Sequence, residues 1–274
     1  MNMDYFNAEK TRDNLVNWIK DWFDRNGKDK YAVIGISGGK DSTIVAALCV
    51  RALGKDKVLG VLMPNGTQKD IDDSHRICEA LGIKNITVNI QDGYYGIAEE
   101  VEDKVVYDLG LGIKGLSEQT KINLAPRLRM TTLYAVSQTI EGRVVNTSNL
   151  SECFVGYGTL YGDLAGSLYP LKNLTKSEIV EIGLTIPEIP RYLVEKTPSD
   201  GLTGFTDENK FGFTYDELDS TIRFGTKGEH YDTIMKRHKD NLFKLKPFAR
   251  NKSSMFFTSI VVLHELNIMC VSTL

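Results

Sequence analysis

The feature that most constrains this chain is its first third, where short β-branched runs alternate with helical stretches. Asn7 to Arg25 carries Leu15, Trp18, Ile19, Trp22 and Phe23 at helical spacing. Tyr31 to Ile36 reads as a strand, Asp41 to Leu53 as an apolar helix ended by Gly54, and Val58 to Met63 as a second strand stopped by Pro64-Asn65-Gly66. Asp70 to Leu81 reads as a helix capped by Gly82, and Ile86 to Ile90 as a third strand. Strands alternating with helices in this way predict an α/β fold: a doubly wound parallel sheet with helices on both faces.

Beyond residue 90 the pattern is looser. Helices are expected over Ile97 to Asp108, Pro126 to Ile140, Ser177 to Ile182, Tyr215 to Phe224 and Tyr231 to Leu242, with a fourth strand over Arg143 to Thr147. Ser151 to Pro170, rich in Gly and Tyr, reads as a loop. Lys196 to Phe213, holding Pro198, Gly201, Gly204 and Gly212, reads as a mobile surface loop. No repeat or linker interrupts the 274 residues, which are read as one domain, 1–274, with a tail at 253–274 of unclear role.

Charge decides which partners to expect. Lys and Arg number 33 against 36 Asp and Glu, a formal −3, which removes the basic footprint of a dedicated nucleic-acid binder. The polar N-terminus has no signal core, and the apolar stretch Met255 to Leu263 is far short of the ~18–20 residues of a membrane span. Cys49, Cys78, Cys153 and Cys270 have no metal-type spacing and read as reduced thiols. The expectation is a cytoplasmic protein without nucleic-acid or membrane partners.

The chemistry is concentrated at the turn after the first strand, Gly35-Ile36-Ser37-Gly38-Gly39-Lys40-Asp41-Ser42. Its glycines allow a ligand close to the backbone, and the following helix offers free N–H groups and the positive end of its dipole to an anion such as phosphate. Ser37, Ser42 and Lys40 add donors and charge. Asp41 would repel a phosphate unless a magnesium ion bridges the two. The spacing is not Walker A: Gly35 and Gly39 enclose three residues rather than four, and Asp41 stands where Ser or Thr belongs. A GxGxxG run, Gly110 to Gly115, follows no convincing strand and is set aside.

Ser37 to Ser42 matches SGGxDS, the loop of the N-type ATP pyrophosphatases, whose fold is adenine nucleotide alpha hydrolase-like. Pro64 to Asp73 resembles the P-x-G-x-Q-K-D-x-D-D segment of ammonia-dependent NAD synthetase. Asn123 to Met130 is similar to its N-x-x-x-R-x-R-M segment. Thr147 to Glu152 with Gly156-Tyr157 and Tyr161-Gly162-Asp163, and then His238-Lys239, complete the resemblance in the family's order.

The resemblance implies that ATP adenylates the nicotinate carboxylate of deamido-NAD, with pyrophosphate leaving, and that ammonia displaces AMP. Gly35, Ser37, Gly38, Gly39, Lys40, Asp41, Ser42, Thr147, Lys176 and Ser199 would then contact ATP, and Asp41 and Glu152 would ligate Mg2+. Arg127, Leu160, Ser167, His238 and Lys239 would face deamido-NAD. Asp41, Lys176 and Asp163 would be catalytic, with Asp163 meeting ammonium or taking its proton. The sequence departs from the family at Leu160, where many members carry Lys, and at Ser167, where many carry Asp.

A homodimer is implied, with Pro126 to Ile140 and the N-terminal helix as the expected interface. With the loop starting at residue 35 and no cysteine near the N-terminus, the nitrogen source is expected to be free ammonia or an amidotransferase in trans. The alternatives are another N-type pyrophosphatase acting on a different substrate, or a non-catalytic nucleotide sensor.

Overall fold

The computed structural model describes residues 6–68, 71–196 and 206–245. Strands β1 (Ala32–Gly35), β2 (Val58–Leu62), β3 (Lys84–Thr87) and β4 (Arg143–Val144) form one sheet in the order β3-β2-β1-β4. Every pairing is parallel, with Ala32 opposite both Val58 and Arg143. The chain therefore starts at an inner strand, winds outward through β2 and β3, and returns to the other side of β1. That reversal places a crevice at the carboxyl ends of β1 and β4, where open α/β sheets bind ligands.

Side-chain alternation assigns the two faces. Ala32, Ile34, Val58 and Leu62 point into a core made with α1 (Ala8–Asn26), α2 (Lys40–Leu53), α3 (Ile71–Leu81) and α7 (Lys176–Leu184). Val33, Leu59, Val61 and Met63 point to the opposite face, against α4 (Gln91–Glu102) and α5 (Glu118–Thr139). Strands buried on both faces explain why β1 and β2 are apolar throughout rather than alternating with polar residues. Each fully buried Leu or Ile here, such as Ile34, Leu48 or Ile179, contributes roughly 1.5–3 kcal/mol by leaving water.

The α/β architecture expected from the sequence is the one found, with local differences. The third strand begins two residues before Ile86, and all four residues of β3 are exposed; as an edge strand it carries no apolar signature. Val88 and Ile90 continue beside β2, their N–H groups donating to Leu62 and Pro64 carbonyls. The fourth strand ends at Val144, with only a bridge from Val145 to Leu168 beyond it.

The helix expected over Ile97 to Asp108 starts instead at Gln91, and residues 103–108 widen into a π-helical coil. Ile97 and Val101 are exposed on it. The helix expected to start at Pro126 begins eight residues earlier, where Ser117 accepts from the Thr120 N–H, so Pro126 lies inside it.

Two loop expectations hold only in part: 155–170 is turn and coil as expected but 150–154 is helical, and of Lys196 to Phe213 the stretch 197–205 lies outside the described residues. Ser151 to Pro170 opens with a helix, α6 (Leu150–Phe154), because the Asn149 side chain caps it by accepting from the Glu152 N–H. Within Lys196 to Phe213, residues 206–213 are packed structure: α9 (Asp207–Phe211) starts in a Thr206–Asn209 capping box and buries Phe211 and Phe213. Those two rings join Tyr215, Leu218 and Ile234 in a second core formed with α10 (Tyr215–Phe224) and α11 (Tyr231–Leu245). Between α7 and α9 lies the short α8 (Arg191–Glu195). Among the described residues, no helix is long and apolar enough to cross a membrane.

Candidate active site

The glycine-rich turn leaves β1 and enters α2 at Gly39, which caps the helix with no side chain. Gly38 sits at φ 76°, a left-handed conformation that costs a side-chain-bearing residue roughly 1–2 kcal/mol. The hydroxyls of Ser37 and Ser42 lie 3.1 Å apart, and that of Ser42 also donates to the Gly39 carbonyl at 3.1 Å. The loop is thereby shaped from within, while the first turn of α2 keeps its amides clear of any capping group. Its positive end is a ready anion seat.

Three charges meet beside that seat. Lys176 Nζ lies 2.6 Å from Asp41 Oδ2 and 2.9 Å from Glu152 Oε1. Asp41 is in the first turn of α2, Glu152 in α6 just past β4, and Lys176 is the first residue of α7. Residues distant in sequence thus converge through the carboxyl ends of β1 and β4. The Lys176 side chain is only 5% exposed, and its ammonium also sits 5.1 Å from the Tyr215 ring centre.

One ammonium serves two carboxylates, and the electrostatics follow from that. Burial alone would lower Lys176, but Asp41 and then Glu152 carry it above the ordinary lysine range. Glu152 is pushed up to about 7 by burial, an effect Lys176 partly offsets and Asp41 reinforces. Lys40, mostly buried, is lowered by burial and then by Lys176.

Asp41 Oδ1 is buried and, among the described residues, has no hydrogen-bond partner. An orphaned carboxylate oxygen beside Glu152 and an open phosphate seat suits a hard cation held by one or two carboxylates together with substrate phosphates. Among the described residues, no cluster of three or more His, Cys, Asp or Glu is arranged to hold a metal unaided.

Other expected site residues lie around this cluster in a looser ring. Thr147 follows the end of β4, half-buried. Arg127, on α5, directs Nε to the Leu160 carbonyl at 3.4 Å, which links two residues expected to face one ligand. Asp163 lies in an exposed turn, where one carboxylate oxygen accepts the Thr159 N–H at 2.5 Å and its carbonyl takes Asn146 and Ser148 side-chain donors. Ser167 is exposed, its N–H donating to the Val144 carbonyl.

His238, on α11, stacks on Phe154 at 3.9 Å between ring centres and meets the Phe154 carbonyl through Nδ1 at 2.9 Å. It braces the chain two residues past Glu152. Lys239 beside it is exposed. Ser199 lies outside the described residues.

Three residues near the cluster escape a motif reading. Asp207 accepts both the Tyr157 and Tyr215 hydroxyls, at 3.1 and 3.0 Å, and so walls the cluster with aromatic rings. Burial, and then Glu152, Asp207 and Asp41, push the Tyr215 hydroxyl far above its ordinary range, so it stays protonated. The third is Asp219, fully buried in α10. Its signal is an aspartate within the inward stripe Tyr215, Leu218, Asp219, where an apolar residue belongs.

Comparison with known proteins gives one consistent answer. The family model described as NAD synthase matches residues 11–250. The curated NH(3)-dependent NAD(+) synthetase of Finegoldia magna is 36% identical over 247 residues, covering 89% of this chain and 96% of that one. Among solved structures, the NMN synthetase of Francisella tularensis aligns with a TM-score of 0.80 at 30% identity, covering 90% of this chain and 99% of its own. The NH3-dependent NAD synthetase of Campylobacter jejuni, in complex with the nitrate ion, aligns with a TM-score of 0.71 at 26% identity over 90% of this chain and 100% of its own. The glycine-rich turn into an uncapped helix, the convergent Asp41–Lys176–Glu152 cluster and these matches over most of the length agree: the chain belongs to the NAD synthase family.

Proposed function

We propose that this chain is an ammonia-dependent NAD synthetase, forming the nicotinamide C–N bond of NAD from deamido-NAD, ATP and ammonia. The observation that carries the reading is the meeting of the open α2 terminus with the Asp41–Lys176–Glu152 cluster. A carboxylate is a poor acyl donor because its leaving group would be oxide. In the first step a nicotinate oxygen attacks the α-phosphorus of ATP, the bond to the β-phosphate's bridging oxygen breaks, and pyrophosphate leaves. In the second, the ammonia nitrogen attacks the acyl carbon, the bond to the AMP oxygen breaks, and the nitrogen gives up a proton.

The residues divide this work by position. The loop from Gly35 to Ser42 and the bare α2 amides hold the triphosphate, with Lys40 and Lys176 offsetting its charge. Asp41 and Glu152 would hold magnesium, which neutralises phosphate oxygens when bound. Thr147 and Ser199 contact ATP; Arg127, Leu160, Ser167, His238 and Lys239 face the nucleotide acceptor. Asp163 is the acceptor for the ammonium proton. Holding both reactants in line supplies much of the acceleration, since little covalent chemistry is asked of the protein.

The enzyme works as a cytoplasmic homodimer in this reading. On the N-terminal helix Ile19 and Phe23 are buried in the chain's own core, while Trp18 is exposed. The exposed apolar side chains Tyr95, Ile97, Tyr107, Leu109, Leu111 and Ile122 of the α4–α5 region are the better match to a dimer surface.

A second reading has a specific support: the 0.80 TM-score to a structure named NMN synthetase, against 0.71 to one named NAD synthetase. The acceptor would then be the nicotinate mononucleotide. One assay separates them. Purified protein is given ATP, magnesium and ammonium with either deamido-NAD or nicotinate mononucleotide, and amide, AMP and pyrophosphate are quantified. Stoichiometric NAD, AMP and pyrophosphate with a higher kcat/KM for deamido-NAD is the expected result. A preference for the mononucleotide overturns the first reading, and ATP binding without amide from either overturns both.

A further inference from the structure

We propose that Asp219 is a positioning residue that sets the spacing of Glu152 and Lys176 by clamping together the first turns of the two helices that carry them. Its Oδ1 accepts from Ser151 Oγ at 2.5 Å, and its Oδ2 accepts from Ser177 N at 2.9 Å and Ser177 Oγ at 2.7 Å. Ser151 immediately precedes Glu152 in α6, and Ser177 immediately follows Lys176 in α7. The circuit closes where the Lys176 N–H donates to Ser151 Oγ at 2.9 Å. Asp219 hydrogen-bonds to neither catalytic side chain; it grips the neighbour of each.

The cost of this arrangement argues that it does more than fill space. Asp219 is 0% exposed and, among the described residues, pairs with no cation. A buried carboxylate without a counter-charge is unfavourable unless its lone pairs are taken by donors, which here are three hydrogen bonds from two helices. An apolar residue would continue the inward stripe of α10 without that cost. What it could not do is bind α6 to α7 in one register. That register matters because Lys176 reaches Asp41 and Glu152 with a single ammonium at 2.6 and 2.9 Å. A misplacement of about 1 Å in such a group can cost roughly a hundredfold in rate.

The test compares Asp219→Asn with the wild-type protein and rests on the amidation reading for its kinetic arm. Asparagine keeps the volume but replaces one acceptor by an NH2 group: turned toward Ser177 it meets the backbone N–H, and turned toward Ser151 it takes a hydroxyl lone pair and leaves the hydroxyl proton without its acceptor. The expected result is a fall of roughly 10–100-fold in kcat, with KM for the dinucleotide within about twofold and circular dichroism unchanged. A second readout is independent of activity: acetic anhydride labelling of Lys176, followed by mass spectrometry, proceeds faster in the variant because the ammonium is no longer held between its carboxylates. A variant with a lower melting temperature but unchanged kcat and unchanged labelling overturns the proposal, since that is the mark of a merely structural contact.

If Asp219→Asn does not fold, Ser177 decides. Ser177→Ala lowers kcat severalfold and Ser177→Thr, which keeps the hydroxyl on a half-buried residue, restores it; equal kcat in both overturns the clamp. If the wild-type protein forms no NAD, the functional reading fails, and the Lys176 labelling rate still judges Asp219.

Discussion

Two helix N-termini face the same cluster of charges, and they are built in opposite ways. The α2 terminus is capped by Gly39 without a side chain. The α7 terminus is closed: Thr175 and Glu178 form a reciprocal capping box, Ser151 takes the Lys176 N–H, and Asp219 takes the Ser177 N–H. Helix ends carry orphan amides and partial positive charge, so both could seat an anion. Only one is left bare. The difference teaches that α2 leaves its amides open to an anion, whereas the first amides of α7 are taken by groups that bind it to α6 and α10.

The largest expected effect comes from removing what joins the two ends. Lys176→Met leaves Asp41 and Glu152 part-buried with no cation between them. Breaking a buried pair in this way costs about 3–5 kcal/mol, here a melting temperature lower by roughly 6–15 °C. Amidation should fall at least ~10²-fold, the scale of losing a charge-stabilising group in a closed site. Calorimetry and single-turnover NAD formation check both. A variant that melts with the wild type would show that the closed terminus holds nothing that matters to the fold.

A smaller effect is a pH dependence that belongs to Glu152. Its carboxyl ionises near 7 in the folded protein against 4.5 ordinarily. Between those values the folded chain keeps a proton that the unfolded chain has released. Stability therefore falls as pH rises through about 4.5 to 7 and is level above it. After discounting for partial exposure, the fall is about 1–3 kcal/mol. Glu152→Gln, a neutral carboxamide at every pH, should lose this slope. Denaturant unfolding of both proteins at pH 5 and pH 7.5, without divalent cation, measures the difference; equal slopes would remove Glu152 as its source.

What the sequence revealed of the two ends differs for a physical reason. The α2 seat is contiguous: Ser37 to Ser42 carries its own turn glycines, hydroxyls and carboxylate, so local pattern suffices to find it. The same holds for β1, β2 and α2, whose apolar runs are buried on both faces. The α7 end is assembled from Ser151, Thr175 to Glu178 and Asp219, which meet only through the fold. Asp41, Glu152 and Lys176 were each legible one by one, but not that Lys176 stands between the two carboxylates expected to take magnesium. Asp219 and Tyr215 lie on a helix whose periodicity speaks for packing, and Asp207 lies in a stretch that reads as a loop, so their polar roles stay hidden. The short helices at 150–154 and 207–211 start at side-chain caps from Asn149 and Thr206 and contain no glycine; Gly156 and Gly212, which follow them, lie outside the helices.

The finest test converts each terminus into the other. Gly39→Asp gives α2 an N-cap of the kind α7 has; its φ of −86° and ψ of 161° suit a side-chain-bearing residue, and the added Cβ meets only Ser37 Oγ, at 3.2 Å. A capping carboxylate at a helix N-terminus is worth about 0.3–1 kcal/mol, so the ligand-free protein should melt slightly higher. The same carboxylate occupies the amides that ATP phosphates would use and repels them, so ATP affinity should fall tenfold or more, about 1.4 kcal/mol. Thr175→Gly is the reciprocal change: a few tenths of a kcal/mol lost, and KM for ATP unchanged within about twofold. Melting and ATP titration on both variants form a two-by-two comparison. Opposite signs for stability and affinity at Gly39, with no affinity change at Thr175, assign the phosphates to α2. If Thr175→Gly weakens ATP as much as Gly39→Asp does, the two ends share the anion, and the closed geometry of α7 describes only the ligand-free protein.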